Sequence, residues 1–179
     1  MDARPNPKTN RVVLPLLISL LALLTMLVLL NHAFGQGEGR RMKRAPSFSL
    51  KDIGGNTVKL DDFAGKTLAV CFVVTSDQPS LKQIVILSDW LKDHDSKDLA
   101  VLGMAIEQWG KPTTKTFVDQ EHPTFPFLVP DYETIHAFGR LTAVPTTYII
   151  DKNQNIVQQY IGVTEKKVLE TNFGPASPR

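Results

Sequence analysis

Cysteine occurs once in this chain, at Cys71, and that scarcity excludes a good deal of chemistry. One thiol cannot close a disulfide within the chain, resolve a mixed disulfide, or build a multi-thiolate metal centre. Histidine is nearly as sparse. His32, His94, His122 and His136 lie far apart with no paired ligand spacing, so no metal is expected. An excess of one charge is also lacking: 20 Lys+Arg against 18 Asp+Glu leave a formal +2, too little to draw a nucleic acid. No internal repeat is visible, and Ser80 sits outside any nucleophile elbow, with no sequence feature to supply its histidine. Neither a cofactor nor a catalytic residue is expected.

What the chain does have is a long apolar run. Residues 12–30 carry no charge, and 19 residues at about 1.5 Å each would span about 28 Å of hydrocarbon. The run exceeds the core of a cleaved secretory signal, although Ala33-Phe34-Gly35 would suit a cleavage site, so residues 12–34 are expected to be a retained transmembrane anchor. Both flanks are basic: Arg4, Lys8 and Arg11 precede the run, and Arg40, Arg41, Lys43 and Arg44 follow it. The positive-inside rule is therefore indecisive. Residues 1–11 are taken as a short cytoplasmic amino terminus. Residues 35–44, "GQGEGRRMKR", read as a basic flexible linker rather than a strip on lipid headgroups, because alternating glycine disfavours any regular element.

Residues 45–173 have the composition of one soluble domain, in which short apolar runs alternate with amphipathic ones, the pattern of an α/β protein. "FSLKDIGGNTVKL" predicts two short strands around a Gly54-Gly55 turn. "TLAVCFVV" is a continuous β-branched and aromatic run, expected to be the central strand, buried on both faces. A helix is predicted over 78–94, with Leu81, Ile84, Val85, Ser88 and Leu91 on its buried face, Asp77 as N-cap and Pro79 in its first turn. Trp90 is placed at the helix edge. A second buried strand follows at 98–106, a helix at 112–122, a short strand in "FPFLV", a short helix closed by Gly139, a hairpin turning at 152–155, and a last helix in "TEKKVLETNFG". Trp109 falls on the loop after the second inner strand. Residues 174–179 are expected to be a frayed tail.

Two strings carry a family likeness. "APSFSLKDIGGNTVKLDDFAGKTLAVCFVV" resembles the opening of the TlpA-like and redoxin branch of the thioredoxin superfamily, and "AVPTTYIIDKNQNIVQQYIG" resembles its second half. The resemblance implies a thioredoxin-like fold: a central mixed sheet flanked by helices, with an added amino-terminal β-hairpin, here behind one transmembrane helix. It also implies that Pro145 is a cis proline, and that Val144, Pro145 and Thr146 form an edge taking an extended segment of a partner protein. Members that exchange disulfides carry a CxxC pair where the central strand meets the helix. In this sequence Asp77 and Ser80 stand at those two positions.

A carboxylate can take the same helix-dipole stabilisation as a thiolate, but it cannot form or break a sulfur–sulfur bond. Cys71, six residues earlier and inside the predicted strand, reads as a small buried hydrophobe. The expected function is therefore a membrane-tethered, thioredoxin-like binding or assembly module without dithiol chemistry, at the bacterial inner membrane and facing the periplasm or cell exterior. The alternatives are a redoxin-type oxidoreductase or peroxidase acting with an external thiol, and a structural subunit of a membrane complex.

Overall fold

In the computed structural model the described residues are 43–93, 97–107, 111–139 and 141–173, together with Leu21, Thr25 and Met26. Nearly all of the expected anchor, linker and tail, with His32, His94 and Trp109, therefore lies outside the described residues. Among the described residues, no helix is long and apolar enough to cross a membrane.

Among the described residues from Lys43 onward, eight strands and four α-helices follow in chain order. They are β1 (Lys43–Arg44), β2 (Ser49–Lys51), β3 (Thr57–Lys59), β4 (Thr67–Val73), α1 (Gln78–Lys92), β5 (Leu99–Ala105), α2 (Lys111–Glu121), β6 (Phe127–Leu128), α3 (Tyr132–Phe138), β7 (Thr146–Ile150), β8 (Asn155–Ile161) and α4 (Lys166–Phe173). A mixed six-stranded sheet runs β1-β8-β7-β4-β5-β6, and β2 with β3 forms a separate hairpin. β4 pairs in parallel with β5 and antiparallel with β7, so the apolar "TLAVCFV" run has a strand on either side. Its residues divide between the two faces of the sheet with period two. Ala69, Cys71 and Val73 pack with Leu87 and Trp90 of α1, Phe117 of α2 and Leu169 of α4. Leu68, Val70 and Phe72 pack on the other face with Phe138 of α3 and the hairpin's Leu50 and Val58.

The predicted elements are found, and Lys43 and Arg44, expected in the flexible linker, instead form β1 by pairing with β8; of the expected face of α1, only Ile84 is fully buried. Ser80, Gln83, Ile84, Leu87 and Trp90 are buried, whereas Val85 is 60% exposed and Leu81, Ser88 and Leu91 are only partly covered. Trp90, expected at the helix edge, is wholly buried. Leu87 and Trp90 are wholly buried, and the large Trp90 ring removes more apolar area from water than Val85 would. Ser80 can follow them inward because its hydroxyl is satisfied locally, as shown below.

Candidate functional site

β4 carries the chain to the end of the sheet, and Val74, Thr75 and Ser76 lead it into α1 with Asp77 as N-cap. The extended backbone of Asp77 (φ −93, ψ 124) holds its carboxylate over the first free N–H groups of the helix. Ser80 donates twice to Asp77 Oδ2, from its backbone N at 3.0 Å and from Oγ at 2.8 Å. Ser80 Oγ in turn accepts from the Val74 N–H at 3.3 Å. The pair thus closes a local hydrogen-bond ring that lets Ser80 be fully buried while Asp77 is half-buried.

A second carboxylate reaches the same corner. Glu107 Oε1 accepts from the Thr75 N–H at 2.5 Å. Sequence reasoning passed over Glu107, because only the parallel register Val73↔Ala105 shows that residues 75 and 107 leave the sheet side by side.

The other wall is the approach to β7. The Val144–Pro145 peptide bond is cis, and the pairing Phe72↔Thr146 sets Pro145 beside Val73, the residue from which the chain turns toward Asp77. Of the three expected edge residues, Val144 is half-buried and accessible. Pro145 and Thr146 are buried, and Thr146 is paired on both sides, with Phe72 and with Ile161. The accessible residues on this approach are Thr142, Ala143 and Val144, because β7 itself lies inside the sheet between β4 and β8.

Cys71 does not join the corner. It pairs across the sheet with Thr147, its side chain lies in the core beneath α1, and it has no exposed surface. Burial pushes its thiol up to about 12, against a smaller opposing effect of the hydroxyl of Thr147, which donates to Sγ at 3.3 Å. At neutral pH it is a shielded neutral thiol, the form that neither attacks a disulfide nor binds a metal.

Residues 42–159 match the AhpC/TSA family. The chain belongs to that family. Among its relatives, the thioredoxin-like protein YneN of Bacillus subtilis (strain 168) is 31% identical over 130 residues, 72% of this chain and 75% of YneN. The thiol-disulfide oxidoreductase ResA of Bacillus anthracis is 26% identical over 136 residues, covering 76% of this chain and 78% of ResA. Of solved structures, a thiol:disulfide interchange protein of the thioredoxin family from Chlorobium tepidum TLS superposes with a TM-score of 0.67 at 25% identity, over 73% of this chain and 93% of its own. The fold is thioredoxin-like, a mixed sheet flanked by helices.

This AhpC/TSA domain also has a cavity of about 820 Å³ between α1 and α2. Leu81, Ile84, Val85 and Phe117 line it, with Thr75 and Ser76 at the corner end; Asp77, Ser80 and Val144 do not. Val85, 60% exposed, faces this space rather than the sheet. Among the described residues, no group of three or more His, Cys, Asp and Glu side chains could hold a metal ion.

Proposed function

We propose that this chain is a membrane-tethered binding or assembly module of the cell envelope, in which an AhpC/TSA domain holds an extended segment of a partner protein and carries out no dithiol exchange. The observation that carries this reading is the occupancy of the helix corner. A carboxylate–hydroxyl pair, Asp77 and Ser80, caps α1, while the chain's one thiol, Cys71, is fully buried in the strand behind it. The helix amino end stabilises an oxygen, not a thiolate. The accessible edge at Val144 makes no backbone hydrogen bond among the described residues, so it can pair with an incoming strand. On this reading residues 12–34 are the anchor, the domain lies outside the cytoplasm, and the linker ends at residue 42, because Lys43 and Arg44 already pair with β8 as the first strand of the domain.

A second reading, favoured by the names of relatives such as ResA, is a redoxin-type thiol-disulfide oxidoreductase or peroxidase working through Cys71 and an external thiol. Insulin-reduction and peroxide-consumption assays on the detergent-solubilised full chain separate the two. The binding reading expects rates at background. Turnover that disappears in Cys71→Ser would overturn it. Crosslinking in intact membranes is expected to recover a partner whose yield falls in Val144→Pro, which removes the edge N–H. Protease accessibility in spheroplasts reads the side of the membrane directly.

A further inference from the structure

Gln83 is a wholly buried polar side chain that the capping ring does not use. It lies on α1 one turn beyond Ser80, on the helix face turned to the core. Its Oε1 accepts from the Thr164 N–H at 2.6 Å, joining residues 81 apart in sequence, while its Nε2 meets no acceptor among the described residues. A methionine or leucine would fill the same volume without desolvating an amide, so filling space does not explain a glutamine there. The acceptor oxygen is the part of the side chain that is engaged.

What that oxygen holds is next to the binding edge. Thr164 is itself 7% exposed, so its N–H has little access to water and depends on Gln83. Two residues earlier, Gly162 donates its N–H to the Pro145 carbonyl at 2.8 Å, with a φ of +86 that favours glycine. The short loop from Gly162 to Thr164 therefore has one hydrogen bond on α1 and one on the approach to β7. We propose that Gln83 is a positioning residue for the edge at Val144: by holding Thr164 it keeps Gly162 on the Pro145 carbonyl. The capped start of α1, the loop after β8 and the segment that receives a partner strand then form one rigid frame. This rests on the binding reading given above, and it adds which buried group preorganises the edge.

Amide hydrogen exchange on the full chain tests it, comparing wild type with Gln83→Met and Gln83→Glu. Methionine removes the acceptor at similar length, and glutamate keeps an acceptor oxygen. Exchange at Gly162 and Thr164 should quicken about tenfold in Gln83→Met, the order expected for one lost buried hydrogen bond, with β4 and β5 amides unchanged. In Gln83→Glu both amides should stay close to wild type. A uniform change across all core amides, or equal behaviour of the two variants at Gly162 and Thr164, overturns the proposal and leaves Gln83 a packing residue. If Gln83→Met does not fold, Gln83→Asn, which withdraws the oxygen by one methylene, is read by the same criteria. The partner recovered by crosslinking to wild type should bind Gln83→Met about tenfold more weakly and Gln83→Glu nearly as well; equal binding by all three overturns the proposal. Recovery of no partner by wild type counts against the binding reading instead, and the exchange experiment stands apart from it.

Discussion

At the residue scale the decisive pair is a sulfur that is out of reach and an oxygen that is not. Burial pushes the Cys71 thiol from 9.0 up to about 12. As pH rises, the unfolded chain therefore loses this proton first, and between pH 9 and about 12 the folded state binds more protons than the unfolded one. Stability should be insensitive to Cys71 below pH 9 and should fall with rising pH above it. Urea unfolding across that range should show the decline in wild type and a shallower one in Cys71→Ala. Iodoacetamide at neutral pH should label Cys71 only after unfolding; rapid labelling of the native protein would refute its burial. Asp77 acts on the helix it caps. Asp77→Ala removes the acceptor for both Ser80 donors and should cost about 0.5–2 kcal/mol by denaturant midpoint, with no loss of any redox rate.

At the element scale, the central strands were legible because continuous β-branched and aromatic runs have few alternatives to a doubly covered strand. The corner cap was legible for a related reason: aspartate three residues before a serine, followed by an apolar helix, has a local purpose that needs no tertiary partner. The rotation of α1 was not legible. Val85 and Trp90 both belong to apolar stripes, and the sheet beneath α1 selected the stripe with the larger area to bury. β5 shows how tightly that sheet is packed. A Cβ added at Gly103 would lie 2.5 Å from Phe127 Cε1, inside the aromatic group formed by Phe117, Phe125 and Phe127. Gly103→Ala should destabilise the domain by about 1–3 kcal/mol through overpacking, read as a lowered urea midpoint with an unchanged slope. Gly103→Ala with Phe127→Leu should regain part of that loss.

At the scale of the whole molecule, the fold is thioredoxin-like, and the corner where β4 meets α1 is occupied by Asp77 and Ser80. Asp77 and Ser80 stand three residues apart at the start of α1 with their side chains in hydrogen-bond contact, so Asp77→Cys with Ser80→Cys should form a bond that dithiothreitol opens and air recloses. Free-thiol titration before and after reduction measures it, and two thiols that never close would show the corner to be misplaced. The sequence by itself determined the α/β class, the order of the elements from β2 onward, and the presence of a single thiol, because local periodicity and composition carry that information, while β1 exists only through its pairing with β8. Only the tertiary structure decided that Glu107 reaches Thr75, that Gln83 holds Thr164, that Thr146 is shut inside the sheet, and which stripe of α1 is buried. Those outcomes depend on strand order, register and helix rotation. They join residues that share no local pattern, and they arise only when distant segments compete to cover the same apolar surface.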